Sequence, residues 1–213
     1  MNIIHFNSGQ AESPSARVSL RCPACRQRGI FEPVANVNDL IILNTPPIRT
    51  GQRYCPNSDC GAVVFFALEH KTLVVSYPAE QIDFDATNVP VAVISAFKEA
   101  ITSHSNQCFV AAAIMVRKTL EELCRDRSAT GTNLKTRIEA LGTKVVLPKE
   151  LLDGLDDLRL LGNDAAHIES QEYNQVGQEE VEIGIEFTKE VLKAVYQYSA
   201  LLTRLRGLKK PTT

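Results

Sequence analysis

The fold of the first part of this chain is decided by two short cysteine segments, Cys22-Pro-Ala-Cys25 and Cys55-Pro-Asn-Ser-Asp-Cys60. In each segment a proline follows the first cysteine, and proline favours tight turns that bring two thiols to one side. Spacers of two and four residues between the paired cysteines lie within the range found at structural zinc sites. Two such turns offer four thiolates to one tetrahedral ion. The spacing therefore predicts a zinc ion bound by Cys22, Cys25, Cys55 and Cys60.

Disulfides and a redox-active pair of thiols are the competing interpretations of these cysteines. The opening sequence MNIIHFNSGQ lacks the basic and apolar regions of a secretory signal. This predicts a cytoplasmic protein, and disulfides rarely persist in that compartment. No thioredoxin-like alternation of strand and helix surrounds Cys22. Because four thiolates leave the ion no open position for water, its predicted role is structural rather than catalytic.

The hydrophobic pattern changes near residue 86, and the change divides the chain into two predicted domains. Residues 1–86 are predicted to form a small β-rich zinc ribbon with an N-terminal extension. Helical periodicity dominates residues 87–213, which predicts an all-α antiparallel bundle. The fold class is therefore α+β. The predicted strands cover residues 30–34, 40–43, 62–68 and 73–77, with turns at 45–47 and 50–51.

Five helices are predicted in the second domain. Pro90 lies near the start of the first helix, which ends near His104. Asn106 is predicted to cap the second helix, which ends near residue 126, and Asn133 to open the third. The fourth begins at Pro148. The last covers residues 178–205 and is predicted to bury its apolar residues, Leu202 among them, against the others.

Composition excludes some classes of function. The formal net charge of −2 and the pI near 6.1 argue against sequence-independent coating of nucleic acid, which needs many cations. No run of about 18 apolar residues is present, so no membrane association is predicted. Residues 16–54 are locally basic, which indicates either a nucleic-acid patch or ordinary solvated surface. The arginines of that segment are Arg17, Arg21, Arg26, Arg28, Arg49 and Arg53.

A polar stripe on the fourth predicted helix carries the chemistry of the second domain. At about 100° per residue, Arg159, Asn163 and His167 fall with Asp156 in one band beside the apolar face. Arg159 could bind a phosphate and His167 could act as a general base, with Asn163 orienting either group. The same residues could instead form a network that satisfies itself at a contact between helices.

The helical segments resemble the domain-of-unknown-function family numbered 4145 over residues 88–205. Three strings carry the resemblance: Phe97-Lys-Glu-Ala100, Ala113-Ile-Met-Val-Arg117-Lys-Thr-Leu-Glu121, and Arg159-Leu-Leu-Gly-Asn163-Asp-Ala-Ala-His167. The family is placed among HEPN-like helical domains, which implies a metal-independent endoribonuclease site, a homodimer, and a prokaryotic defence or toxin setting. In that site His167 would deprotonate a ribose 2′-hydroxyl, Arg159 would stabilise the phosphorane, and Asn163 would orient the site.

The resemblance leaves two questions open. Seven residues separate Arg159 from His167, whereas the HEPN signature has four to six. Arg117, which is spaced to pair with Glu121 on the same helix, is therefore an alternative source of positive charge. The alternative function is a non-catalytic module: its zinc ribbon would bind nucleic acid or a partner protein, and its bundle would dimerise through the small residues Gly162, Ala165 and Ala166.

Overall fold

The structure is a computed structural model that describes residues 4–166 and 175–208. It divides into two compact units, Met1–Asp83 and Phe84–Thr213, which we call the β unit and the helical unit. The predicted α+β class is confirmed, since the strands of the described residues all lie in the first unit and their helices all lie in the second. Among the described residues, no helix is both long enough and apolar enough to cross a membrane.

The β unit is built around one long central strand. That strand, β5, pairs antiparallel with β3, β4 and β6, and the outer strands β1, β2 and β7 complete the sheet. A small apolar core that includes Phe31 and Phe66 lies beside the cysteines. The strands are β1 Gly9–Glu12, β2 Val18–Arg21, β3 Arg28–Pro33, β4 Asp39–Ile42, β5 Ile48–Tyr54, β6 Val63–Glu69 and β7 Thr72–Tyr77.

The turn predicted at residues 50–51 is wrong, because both residues lie within β5. The glycine that suggested a turn has a tertiary role instead. A Cβ atom at Gly51 would clash with Oδ1 of Asp39 on the neighbouring strand. Glycine inside a strand often marks such a close approach. Strands β1, β2 and β5 were not predicted, whereas the four predicted strands are confirmed as β3, β4, β6 and β7.

The space beside Gly51 is occupied by a buried ion pair between Asp39 and Arg53. The Arg53 side chain is 0% exposed and donates two hydrogen bonds of 2.8 Å to the Asp39 carboxylate. Its Nε and Nη2 atoms also donate to the carbonyl oxygen of Ala16. The guanidinium lies over the Phe66 ring, 4.6 Å from its centroid. A buried charge is tolerated when it is paired and hydrogen-bonded in this way.

Several arginines of the locally basic segment 16–54 are paired with carboxylates of the β unit. Arg53 is buried, and Arg49 contacts both Asp39 at 3.2 Å and Glu12 at 2.8 Å. Arg21 and Arg28 lie near carboxylates that follow the strands, at 3.6 Å from Asp83 and 3.1 Å from Glu80 respectively. Four of the six arginines of this segment are thus in ion pairs, which weakens its interpretation as a nucleic-acid patch.

We predict that Asp39→Asn destabilises the β unit by about 3–5 kcal/mol, because it leaves the buried Arg53 without a counter-charge. Glu80→Gln is the matched control: it removes a carboxylate from the exposed pair with Arg28, which contributes less than about 1 kcal/mol. Hydrogen exchange of the β4 and β5 amides, followed by mass spectrometry, measures both changes. Equal exchange in the two variants would contradict the assignment.

The helical unit is arranged around α2, which packs against α1, α3, α4 and α5. The buried face of α2 includes Ala112, Val116, Leu120 and Leu123, spaced at three and four residues. Its helices are α1 Val91–Ser105, α2 Phe109–Asp126, α3 Leu134–Lys144, α4 Lys149–Ala166, α5 Gln178–Leu192 and α6 Tyr198–Gly207, with a π-helical segment at Lys193–Gln197 between α5 and α6.

Of the two asparagine caps predicted from the sequence, one is confirmed and the other is wrong. Asn133 caps α3 as predicted, because its Oδ1 accepts from the Thr136 backbone N–H at 3.0 Å. The cap predicted at Asn106 is wrong. Asn106 ends α1 and donates to the Thr102 carbonyl at 2.8 Å, and α2 begins only at Phe109. The left-handed backbone of Gln107, with φ of 61°, separates the two helices.

The last predicted helix is present but is interrupted. Its π-helical segment is held by the end of α2, where Asp126 accepts a hydrogen bond of 2.9 Å from the Tyr196 hydroxyl. The Arg127 guanidinium lies 4.3 Å from the centre of the same ring. The prediction that Leu202 is buried is wrong, since it lies on α6, none of whose residues 198–207 is buried. Helix α6 thus presents its apolar residues to the solvent.

Candidate functional site

The four cysteines lie in two loops that close in the same way. Cys22 and Cys25 lie between β2 and β3, and the Cys22 N–H donates to the Gln27 carbonyl at 2.9 Å. Cys55 and Cys60 lie between β5 and β6, and the Cys55 N–H donates to the carbonyl of Ala62, also beyond the second cysteine, at 2.8 Å. These bonds fix both loops at the end of the sheet.

A left-handed residue follows the second cysteine in each loop. Arg26 has φ of 66° and Gly61 has φ of 57°. Glycine adopts this conformation freely, whereas arginine does so at a cost. The Arg26 N–H donates to the Cys22 carbonyl at 3.0 Å, and the Gly61 N–H donates to the Asn57 carbonyl at 3.1 Å. In each loop the left-handed residue reverses the chain direction directly after the second cysteine, so that the two thiols of the loop lie close together.

The sulfur atoms of the four cysteines converge. The Sγ atoms of Cys22 and Cys60 are 3.7 Å apart, as are those of Cys25 and Cys55. All four lie within 4.8 Å of one another. These separations are far longer than a disulfide bond of about 2.05 Å, and each thiol is free. The four residues could therefore hold a metal ion, with Cys22 and Cys55 buried and the other two partly exposed.

The protein environment shifts the pKa values of two of the thiols in opposite directions. Burial raises the pKa of Cys55 to about 12, and a hydrogen bond from the Gln27 backbone lowers the pKa of Cys25 to about 7. A metal ligand must be a thiolate, so an ion entering this cluster displaces protons. Metal affinity therefore falls as the pH falls.

A second polar cluster lies between α2 and α4 of the helical unit. Arg117 Nη1 on α2 donates to Asn163 Oδ1 on α4 at 2.6 Å, and also to the Arg159 carbonyl at 3.4 Å. On the other side, Arg117 Nε lies 3.5 Å from a Glu121 carboxylate oxygen. The guanidinium is thus held between a carboxylate of its own helix and a carboxamide of the next.

This contact depends on a glycine. A Cβ atom at Gly162 would lie 2.5 Å from the Cβ of Arg117, closer than real side chains pack. The close approach expected at this glycine is therefore made by α2 of the same chain. Gly162 is buried, so the predicted dimer contact through Gly162, Ala165 and Ala166 is wrong for its first residue. The homodimer itself stays a prediction.

Arg159 has a different environment from the one expected for a phosphate ligand. Its Nε and Nη2 atoms donate to the two carboxylate oxygens of Asp156, at 2.6 and 3.2 Å. This hydrogen bonding lowers the pKa of Asp156. The structure therefore brings Arg117, Asn163 and Glu121 together and pairs Arg159 with Asp156. The predicted His167 lies outside the described residues.

A known protein family matches the part of the chain that contains the polar cluster. The family described as "Domain of unknown function (DUF4145)" matches residues 98–209, slightly more than half of the chain. The chain belongs to the DUF4145 family. The match covers Arg117 and Asn163, whereas the four cysteines precede it. No curated protein and no solved structure matches the chain.

The hydrogen bond between Arg117 and Asn163 was not predicted. Sequence spacing joined Arg117 only to Glu121, because both lie on one helix. The signal that could have revealed the other partner is Gly162, whose missing side chain marks the point where a neighbouring helix comes closest.

We predict that Gly162→Ala destabilises the helical unit by about 1–3 kcal/mol, because the added methyl group pushes Arg117 and α2 away from α4. Gly207→Ala is the matched control, since a Cβ atom there meets no other atom within 4 Å. That control changes the stability by less than about 1 kcal/mol and in the stabilising direction. Urea unfolding followed by circular dichroism compares the two, and equal stabilities would contradict the packing.

Proposed function

We propose that the helical unit is a HEPN-like, metal-independent endoribonuclease whose site consists of Arg117, Asn163 and His167, acting in a prokaryotic defence or toxin setting. The observation that carries the proposal is the 2.6 Å hydrogen bond between Arg117 and Asn163, which joins two helices. In the sequence Asn163 precedes His167 by four residues. The bond brings a guanidinium to the last turn of α4, just before the histidine.

The three side chains have complementary roles in this reaction. His167 takes the proton from a ribose 2′-hydroxyl, the role in which histidine most often serves as a general base. The 2′-oxygen attacks the adjacent phosphorus, the bond to the 5′-oxygen breaks, and the imidazolium returns its proton to that leaving oxygen. Arg117 neutralises charge on the phosphorane, and Asn163 holds Arg117 in place.

Arg117 suits the role of the charged residue better than Arg159 does. The Arg159 side chain is largely buried and forms a bidentate pair with Asp156. Arg117 keeps part of its side chain exposed, and its bond to Asn163 is to a neutral acceptor. Arg117 also lies near a carboxylate, but its one contact with Glu121 is 3.5 Å long, whereas Arg159 donates two hydrogen bonds to Asp156. Arg117 therefore retains more positive potential toward a phosphate.

The proposal predicts cleavage of labelled RNA in EDTA, with products that end in a 2′,3′-cyclic phosphate. His167→Ala reduces the rate by about 100-fold to 10,000-fold, the usual contribution of a general base. Arg117→Ala reduces it as well, whereas Arg125→Ala, which removes an exposed arginine of the same helix, leaves it unchanged.

Circular dichroism of each variant separates loss of chemistry from loss of the fold. RNA that stays intact with the wild-type chain, under all conditions of metal and pH, would contradict the nuclease proposal. Cleavage that survives His167→Ala would contradict the assigned base.

The second candidate is a non-catalytic interaction module. One observation favours it: the cations of the cluster have carboxylate partners within the chain, Glu121 for Arg117 and Asp156 for Arg159. Such a network needs no substrate to satisfy it. Retention of intact RNA in a gel-shift assay would favour RNA binding alone. An inert chain that binds neither RNA nor its products would favour a protein partner.

We propose further that the cysteine cluster holds a structural zinc ion, which makes the β unit a zinc ribbon. Four sulfur atoms at about 2.3 Å from a tetrahedral zinc ion are about 3.8 Å from one another. The two separations of 3.7 Å agree with this geometry. Four thiolates close the coordination sphere, so the ion organises the loops rather than activating water.

The zinc proposal predicts about one zinc per chain by elemental analysis of the purified protein. Cys55→Ser loses the metal and unfolds the β unit, because structural zinc contributes about 10–16 kcal/mol in small zinc-binding domains. Cys108→Ser, which alters an exposed thiol of the helical unit, keeps the metal. A folded β unit without metal, seen by amide exchange, would contradict the proposal.

A further inference from the structure

A surface cavity of the β unit lies at the opposite end of β5 from the cysteines. Its volume is about 350 Å³, which is within the range found for sites that bind small molecules. Arg49, near the start of β5, lines the cavity, and Cys55 follows the end of the same strand. At about 3.3 Å per residue, the strand separates Arg49 from Cys55 by about 20 Å. The cavity is therefore a separate feature from the cysteine cluster.

The pairing of the strands places Arg49 between two apolar side chains. Ile41 on β4 and Leu68 on β6 are its direct partners on the two neighbouring strands. The side chains of such partners lie on one face of the sheet, with their Cβ atoms about 5 Å apart. All three residues line the cavity. The cavity thus has an apolar wall on each side of a guanidinium.

The Arg49 guanidinium is held in place and still has donors to offer. Asp39 and Glu12 each accept one hydrogen bond from it, at 3.2 and 2.8 Å. A guanidinium carries five N–H donors, so these two bonds leave three. The side chain is 23% exposed, so a bound molecule can reach it. A fixed guanidinium with donors to spare is suited to binding a carboxylate.

The hairpin turn between β6 and β7 adds two basic side chains to the cavity. His70 and Lys71 form this turn with φ of 50° and 83°, and both line the cavity. A two-residue turn with positive φ at both positions favours Asn-Gly, and larger residues adopt it at a cost. His70 Nδ1 lies 3.9 Å from a Glu69 oxygen, too far for a hydrogen bond. Two basic residues in this turn indicate that their side chains have a role beyond the turn itself.

We propose that this cavity binds a small organic acid. The apolar body of the acid lies against Ile41 and Leu68, and its carboxylate lies between Arg49 and Lys71. The charge of the cavity supports an anion, because every ionisable side chain of its described lining is basic. The site lies wholly within the β unit, so it does not rest on the nuclease proposal.

The lining favours a small acid over a nucleotide. Nucleic-acid bases bind to proteins largely by stacking on aromatic side chains. The described lining has no phenylalanine, tyrosine or tryptophan. The two carboxylates that hold Arg49 would also repel a phosphate, which carries about twice the negative charge of a carboxylate. A single negative charge on an apolar body fits the cavity better.

Titration of the full chain with six-carbon probes, followed by the NMR signals of its backbone amides, tests the proposal. Hexanoate is expected to shift the signals of Leu68, His70 and Lys71. Hexan-1-ol lacks the charge and is expected to bind at least about tenfold more weakly. Hexylamine has the opposite charge and is expected not to bind. Absence of hexanoate binding, or equal affinity for the three probes, would overturn the proposal.

Two substitutions locate the bound acid. Lys71→Gln should weaken hexanoate binding about tenfold without altering the fold, because Lys71 is exposed. Lys98→Gln removes an exposed lysine of the helical unit as the matched control and should leave the affinity unchanged. Ala16→Leu should abolish binding, because Ala16 lines the cavity and a larger side chain there fills it. Circular dichroism checks that each variant is folded, and an unchanged affinity in Lys71→Gln would overturn the proposal.

Two further probes identify the source of the negative charge. Hexyl phosphate that binds more tightly than hexanoate would overturn the assignment of a carboxylate. A peptide that ends in leucine would overturn the small acid in favour of a protein C-terminus if it binds more tightly than hexanoate and loses that affinity on amidation. Weaker binding of both probes supports the small acid. These titrations contain no RNA, so their failure would leave the nuclease proposal standing.

Discussion

The contact between the Arg117 side chain and the bare backbone of Gly162 determines the arrangement of the helical unit. It sets the distance between α2 and α4, and only a residue without a side chain permits that distance. The same approach brings the guanidinium within 2.6 Å of the Asn163 carboxamide. A polar group that is partly buried between helices needs such a partner. The close approach of α2 and α4 at Gly162 therefore explains both the packing of these helices and the hydrogen bond between Arg117 and Asn163.

The β unit, like the helical unit, contains polar contacts between residues that are distant in sequence. Its apolar core is small, so burial of hydrophobic surface alone stabilises it little. Two polar features accompany this core: the four convergent thiols at one end of the sheet, which could hold a metal ion, and the Asp39–Arg53 pair between β4 and β5. Both join parts of the chain that are distant in sequence. The pair also removes Arg53 from the surface, which weakens any role of this unit in binding nucleic acid.

Features that depend on local spacing were predictable from the sequence, and features that depend on tertiary contacts were not. The two cysteine pairs and the Asn133 cap each follow from residues a few positions apart, so pattern reasoning found them. Strand β5 was missed because Gly51 resembles a turn residue until Asp39 is seen beside it. The bond from Arg117 to Asn163 spans 46 residues, and no local pattern reports it. Arginine is usually exposed, so its burial at position 53 had no signal.

Helix α2 connects the polar cluster to the π-helical segment between α5 and α6. Its last residues hold the π-helical segment, where Tyr196 donates to Asp126 and Arg127 donates to the Val195 carbonyl at 3.4 Å. Arg117 lies about 13 Å earlier on the same helix, at 1.5 Å per residue. The polar cluster and the π-helical segment are thus joined by one helix rather than by a loop, and a shift of α2 would act on both.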